Sequence, residues 1–232
     1  MEMKDVSVVM AHGGWADGSS WARVITGLAA RGVKSFAAPL PLTDLADDVA
    51  ALNRSIERAS GPVVLVAHAY AGAVIGLARA EHVKALVYIA AFAPDEGETL
   101  ADLFFRADPH PRAPKLAPDG DNLLWLPDEA FPEAFAPNAS ADDLIALAAA
   151  QRPLRFSCMT VPTEGPVLWK TVPTWYLVAE HDHMIVPDTQ RFMAARINAT
   201  IRSHAVDHTP IITAPGPVVD IIHEAVESVA GN

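Results

Sequence analysis

Short, almost wholly apolar runs alternate along this chain with longer segments of helical pattern. The five clearest runs are VSVVMA (6–11), VKSFAAP (33–39), VVLVA (63–67), KALVYIA (84–90) and TWYLVA (174–179). Strands that are apolar on both sides must be covered on both faces, as in a parallel sheet with helices above and below it. IRSHAVD (201–207) is a weaker sixth strand. The sequence therefore predicts an α/β fold with a mostly parallel sheet of about six strands.

The segments between these runs carry signals for the ends of helices. Gly32 stands where a glycine ends a helix, Thr43 or Asp44 can accept a hydrogen bond at a helix start, and Pro187 suits a first helical turn. We therefore expect helices to connect consecutive strands and to cover both faces of the sheet.

Residues 94–170 interrupt this alternation. They hold most of the 19 prolines, many of the aromatic residues and two helical patterns, GETLADLFF and SADDLIALAAAQ. The strand pattern resumes directly behind them. We interpret this stretch as a helical cap inserted into a single domain, 1–232, whose core is formed by 1–93 and 171–232.

Charge and composition exclude several classes of protein. The net charge is −11 with only 17 Lys and Arg residues, which argues against a nucleic-acid-binding surface. No run of 18 apolar residues could span a membrane. The first residues enter a strand pattern without the features of a secretory signal, and the single cysteine, Cys158, has no partner for an internal disulfide. We expect a cytoplasmic protein.

The stretch GPVVLVAHAYAG (61–72) predicts a strand, a sharp turn and a helix. Ala67 and Ala71 flank the apex of the turn with small side chains, which lets the strand and the helix approach each other. In the nucleophile elbow G-x-S-x-G, the apex residue is the serine that attacks an acyl carbon. Here the apex is Ala69, a methyl group.

Three further motifs accompany this elbow. His12-Gly13-Gly14 follows the first strand, as does an H-G-x loop whose third residue offers a backbone N–H to an oxyanion. Asp182 follows a strand in LVAEHDHMIVP (177–187), and His208 follows the last strand in AVDHTPIITAP (205–215). The order of nucleophile position, acid and histidine is that of a hydrolase triad with its first member missing.

By these motifs the chain resembles, nearly end to end, the small bacterial α/β-hydrolases related to plant methyl esterases and hydroxynitrile lyases. The resemblance implies that Ala69 occupies the nucleophile position, that Asp182 and His208 are the acid and the histidine, and that backbone N–H groups of Gly14 and Tyr70 form the oxyanion hole. We expect the following residues to contact the ligand: His12, Gly13, Trp15, Phe92 and Trp125.

The hydroxynitrile-lyase activity of this family is disfavoured by two departures. Gly13 stands where the lyases carry a hydroxyl, and Thr209 stands where they carry a lysine. The sequence predicts no cofactor, and its histidines lack the spacing of a metal site. A small-molecule substrate or ligand is expected, and a homo-oligomer is compatible with the sequence.

The alanine at the apex leaves three functions open. The chain is an esterase-like hydrolase with little ordinary activity, a lyase-like enzyme that uses His208 and Asp182 as a general base without a nucleophile, or a non-catalytic binding protein. Ala69 is either native or the product of an engineered serine-to-alanine exchange. Ala67 and Ala71 also replace the glycines of the motif, which favours a native alanine.

Overall fold

The computed structural model describes residues 5–231, and within them eight strands are found. They are β1 (Ser7–Ala11), β2 (Lys34–Ala38), β3 (Val63–His68), β4 (Val83–Ile89), β5 (Leu123–Leu124), β6 (Leu154–Arg155), β7 (Thr174–Ala179) and β8 (Thr200–His204). Six strands form one sheet in the order β2-β1-β3-β4-β7-β8, and every pairing in it is parallel. β5 and β6 form a separate antiparallel pair. The predicted six-stranded sheet is confirmed.

Nine α-helices flank or extend the sheet among the described residues. They are α1 (Ala22–Ala30), α2 (Leu45–Glu57), α3 (Ala71–Gly76), α4 (Leu100–Phe104), α5 (Ala141–Ala150), α6 (Ser157–Thr160), α7 (Pro187–Arg196), α8 (Pro210–Thr213) and α9 (Pro215–Ala230). Short 3₁₀ turns span Gly18–Trp21 and Leu168–Lys170, and a π-helical turn spans Phe131–Phe135.

The two faces of the sheet are buried in two separate apolar cores. In β1 and β3, Val9 and Leu65 belong to one core and Val8 and Val64 to the other, as the two-residue period of a strand requires. Helices α2, α3 and α7 cover the first face, whereas α1 and α9 cover the second. This double coverage explains why the strands are apolar at nearly every position.

The predicted helix ends are present. The side chain of Asp44 accepts a hydrogen bond from the backbone N–H of Asp47 (2.7 Å) at the start of α2, and Pro187 opens α7. Gly32 follows α1 with a φ of +75°, a backbone conformation that glycine adopts without a Cβ clash.

The 94–170 segment contains helices α4, α5 and α6, the β5–β6 pair and the π-helical turn. Its own small apolar core includes Leu126, Phe131 and Phe135. The backbone N–H of Arg155 donates to the carbonyl of Leu42 (3.2 Å), which ties the segment to the loop after β2. Within residues 5–231, no helix is both long enough and apolar enough to cross a membrane.

Candidate active site

Ala69 lies at a sharp turn between the end of β3 and the start of α3. Its φ is +50°, a left-handed conformation that costs a residue with a Cβ roughly 1–2 kcal/mol. The carbonyl of Ala69 accepts hydrogen bonds from the N–H groups of Phe92 (3.0 Å) and Gly72 (3.2 Å). The surrounding main chain therefore fixes this strained turn, and such outliers concentrate at functional sites.

Two glycines allow other backbone segments to approach this turn. A Cβ on Gly72 would lie 1.9 Å from the carbonyl oxygen of Phe92, so only glycine fits there. A Cβ on Gly13 would lie 3.1 Å from the Cβ of Ala69 and 3.1 Å from Nδ1 of His68. The loop after β1 is thus held directly against the apex of the turn.

Asp182 and His208 form a buried hydrogen-bonded pair. Nδ1 of His208 lies 2.8 Å from Oδ2 of Asp182, and the two residues are 2% and 1% exposed. An Nδ1–H that donates to the carboxylate leaves the lone pair of a neutral ring on Nε2, where a general base needs it. The two residues that the resemblance implies as acid and histidine are thus in hydrogen-bond contact.

The carboxylate of Asp182 is held from three further directions. Oδ1 accepts hydrogen bonds from the backbone N–H groups of Met184 (2.7 Å) and Ile185 (2.9 Å). Oδ2 accepts a hydrogen bond from Nε2 of Gln190 (2.8 Å), whose Oε1 accepts from the N–H of Ala179 (2.9 Å). Asp182 therefore has a fixed orientation toward His208.

The loop that carries His208 is anchored on both sides. Nε2 of His68 donates to the carbonyl of His208 (2.6 Å), and burial lowers the pKa of His68 to about 3. The hydroxyl of Thr209 donates to the carbonyl of Phe135 (2.8 Å) in the 94–170 segment. The carboxylate of Asp207 also accepts from the backbone of that segment.

A cavity of about 690 Å³ brings the turn, the histidine and the 94–170 segment together. Its volume lies near the middle of the range of pockets in which proteins bind drug-sized ligands. Its wall residues are Gly14, Trp15, Ala69, Tyr70, Phe92, Ala101, Phe104, Phe105, Pro109, His110, Pro111, Ala113, Pro114, Lys115, Leu116, Leu124, Leu154, Phe156, Met159, Thr160, Met184, Ile185 and His208.

The wall of this cavity is mostly apolar. His110 is one of its few polar residues, and its ring stacks on that of His183 with centroids 3.9 Å apart. Burial, followed by the neighbouring His183, lowers the pKa of His110 below its usual value. A ligand here must therefore bury mainly hydrocarbon surface.

A buried polar pair supports the turn from behind. The hydroxyl of Tyr70 donates to Oδ2 of Asp48 (2.6 Å), and Oδ1 of Asp48 accepts from the N–H of Leu42 (2.7 Å). Burial raises the pKa of Asp48 from 3.8 to about 6. The side chain of Tyr70 is thus fixed by the hydrogen bond of its hydroxyl.

Four of the residues expected to form the oxyanion hole or to contact the ligand line this cavity. They are Gly14, Trp15, Tyr70 and Phe92.

The structure does not place the other three, His12, Gly13 and Trp125, in the cavity wall. The ring of His12 is buried between two backbone groups, donating to the carbonyl of Gly13 (3.0 Å) and accepting from the N–H of Leu40 (3.2 Å). Burial lowers the pKa of His12 to about 4, so the ring is a neutral structural element. Trp125 is 47% exposed, and its indole N–H donates to the carboxylate of Asp119 instead.

Several wall residues lie outside every motif in the sequence. Leu154 and Met159 reach the cavity from β6 and α6, and His110 reaches it from a proline-rich loop. The density of aromatic residues in 94–170 indicates an apolar surface, but it does not indicate which side chains face inward. Among residues 5–231, no group of three or more His, Cys, Asp or Glu side chains is arranged to hold a metal ion.

The parallel sheet, the strained turn and the Asp182–His208 pair define a protein of the α/β-hydrolase class. A family model described as "Alpha/beta hydrolase family" matches residues 8–221. The chain therefore belongs to the α/β-hydrolase family. No curated protein matches its sequence.

Solved structures with the same fold are similar along nearly the whole chain. A pyrethroid hydrolase from Sphingobium faniae JZ-2 has a TM-score of 0.83 and 20% identity, covering 98% of this chain and 100% of its own. Polyneuridine aldehyde esterase has a TM-score of 0.78 and 18% identity, covering 95% and 98%. A methylesterase from Arabidopsis has a TM-score of 0.77 and 16% identity, covering 96% and 99%.

Proposed function

We propose that this α/β-hydrolase binds an apolar ester or related carbonyl compound in the 690 Å³ cavity, and that Ala69 deprives it of the nucleophile for ordinary ester hydrolysis. One observation carries the proposal: Ala69, His208, Gly14 and Tyr70 line the same apolar cavity. We further propose that the 94–170 segment acts as the cap of a single domain, because many of the wall residues come from it.

An ester-type ligand is supported by the similar structures. Two of the three are named as esterases and the third as a hydrolase of pyrethroids. The mostly apolar wall and the scarcity of charged groups in it favour a ligand whose ends are both hydrophobic. The volume accommodates a ligand larger than a simple acetate ester.

The roles in the proposed site follow from the chemistry of acyl transfer. Nε2 of His208 would take a proton, Asp182 would orient the ring and stabilise its protonated form, and the N–H groups of Gly14 and Tyr70 would bind an oxyanion. Without a hydroxyl at position 69, no acyl-enzyme can form. In a serine hydrolase, loss of the serine lowers kcat by roughly 10⁶, while the remaining groups still give about 10³–10⁴ over water.

A second function is favoured by the integrity of the Asp182–His208 pair. All four hydrogen bonds to the carboxylate of Asp182 are in place, although no nucleophile depends on them. In this alternative, His208 removes a proton from a bound carbonyl compound or from water without a covalent intermediate. A purely binding protein has no need for such an oriented pair.

The test is the variant Ala69→Ser, measured on p-nitrophenyl esters beside the unchanged chain. The new hydroxyl would lie at the strained turn, in the cavity that His208 also lines. We expect kcat/KM to rise by at least about a thousandfold. An organophosphonate ester should label the serine variant at one site, which mass spectrometry of the intact protein detects.

Two further variants make this result specific. Ala101→Ser introduces a hydroxyl into the same wall from α4 instead of the turn, and it should remain inert. Adding His208→Ala to Ala69→Ser should abolish the gain. A folded Ala69→Ser protein that is neither active nor labelled would contradict the proposal. Turnover by the unchanged chain that disappears in His208→Ala would support the general-base alternative.

A further inference from the structure

We propose that Trp15 is the end wall of the cavity and sets the length of the longest ligand that the cavity can hold. This inference rests on the proposed binding of an apolar ester and specifies its size. Trp15 follows Gly14 directly, so the end wall begins one residue beyond a proposed oxyanion donor.

Trp15 separates the cavity from a second hollow. The second hollow has a volume of about 300 Å³ and lies between the 3₁₀ turn at Gly18–Trp21, the start of α1, and α5. Among residues 5–231, Trp15 is the one side chain that lines both spaces. The other residues that line the hollow are Ala16, Asp17, Ser19, Ser20, Ala22, Arg23, Asp143, Ala146, Leu147, Ala150 and Ile212.

The side chain of Trp15 is fixed in this position. Its indole N–H donates to the carbonyl of Leu124 (2.9 Å), and its ring packs edge-to-face on Phe135 with centroids 6.2 Å apart. The residue is only 9% exposed, and its backbone has a φ of +58°. The position of Trp15 is therefore fixed by contacts with the 94–170 segment and by the strained backbone of its own loop.

The second hollow is suited to continue an apolar chain beyond this wall. Ala16, Leu147 and Ile212 give it apolar sides. Its outer edge is polar, because Arg23 donates to both carboxylate oxygens of Asp143 (3.0 Å each). Removal of the indole, which lines both spaces, would join the cavity to this second hollow.

The experiment measures binding to the chain with Ala69 unchanged, so that it does not require catalysis. Methyl esters of straight-chain acids, from acetate to palmitate, displace the fluorescent dye anilinonaphthalene sulfonate from the cavity. In the unchanged chain, affinity should increase with length and then stop increasing at a defined length. In Trp15→Ala, it should continue to increase beyond that length, by about fourfold for each further buried methylene group.

Three variants make the result specific to the end wall. Trp169→Ala is the matched control, because Trp169 is a partly buried tryptophan outside both spaces whose indole N–H also donates to a backbone carbonyl, that of Pro94 (3.0 Å). Ala146→Trp places a large side chain in the second hollow, and combined with Trp15→Ala it should restore the native length limit. Trp15→Leu shortens the wall and keeps an apolar side chain, which covers the case in which Trp15→Ala does not fold.

The possible failures are distinguishable. If no ester of any length displaces the dye from the unchanged chain, the proposed ligand class is wrong, and the inference falls with it. If esters bind, but the folded Trp15 variants change the affinity of all lengths by the same factor, Trp15 only stabilises the fold and the inference is overturned. An extended length range in the Trp15 variants that Trp169→Ala lacks supports it.

Discussion

We expect the protein to lose stability as the pH rises from about 4 to 7, because Asp48 ionises. Asp48→Asn should not show this loss. The folded Asp48 has its pKa raised to about 6 by burial, whereas its ordinary value is 3.8. Between these values the unfolded chain releases a proton that the folded chain retains. The contribution of Asp48 to the free energy of unfolding is therefore greatest below the lower pKa and falls as the pH rises through the higher one.

The size of this effect follows from the difference between the two pKa values. One unit of pKa corresponds to about 1.4 kcal/mol, so the full loss is about 3 kcal/mol, of which about 2–3 kcal/mol falls between pH 4 and pH 8. Asparagine does not ionise, so its contribution to stability does not change with pH. Its carbonyl can still accept from the N–H of Leu42, and its amide can donate to the oxygen of Tyr70.

The assay is urea unfolding followed by circular dichroism at a series of pH values. The free energy of unfolding of Asp48→Asn minus that of the original chain should increase by about 2–3 kcal/mol from pH 4 to pH 8. Asp47→Asn, at an exposed position of the same helix, is the matched control. If the free energy of unfolding changed with pH in the same way for Asp48→Asn and the original chain, the raised pKa of Asp48 would be refuted as the cause.

Two further substitutions test the framework of the site. Gly72→Ala should destabilise the protein by about 3 kcal/mol or more, because its Cβ would overlap the carbonyl of Phe92. Thermal unfolding should show this as a lower unfolding temperature. In the control Gly120→Ala, the new Cβ has nothing within 4 Å, and the unfolding temperature should stay unchanged. Gln190→Leu should lower the free energy of unfolding, measured in urea, by about 2 kcal/mol or more. It leaves the buried N–H of Ala179 and the carbonyl of Ile185 without this partner and removes one of the four hydrogen bonds to Asp182. In the control Gln151→Leu, the hydrogen bonds that are lost are only partly buried, so the free energy of unfolding should fall by less. Equal decreases in the two variants would contradict the role of burial.

The sheet could be predicted from the sequence because its strands are buried on both faces. Every residue of β1, β3 and β7 is buried, so each strand appears as an uninterrupted apolar run. β8 is an exposed edge strand, and the sequence accordingly gives only the weaker run IRSHAVD (201–207) for it. The interior of 94–170 was not predictable at the same level, because β5 and β6 have two residues each and their paired residues lie 30 and 32 positions apart in the sequence.

The site was predictable where a loop follows a strand, and less so elsewhere. Asp182 and His208 follow β7 and β8, and the carboxyl ends of parallel strands meet at one edge of a sheet. His12 follows β1 in the same way, yet its ring turns toward the backbone of Gly13 and Leu40. Sequence position therefore gives the edge at which a side chain lies, whereas its direction depends on hydrogen bonds that only the folded chain provides.

The left-handed turn at position 69 is maintained by main-chain hydrogen bonds and by glycine at position 72, and none of these contacts involves the side chain of Ala69. The side chain at position 69 can therefore be exchanged without loss of the contacts that hold the backbone of the turn. Cysteine, aspartate or a synthetic amino acid introduced at this single codon would be presented to the cavity by the backbone itself. Different side chains could therefore be placed at this point of the cavity wall without redesign of the surrounding backbone.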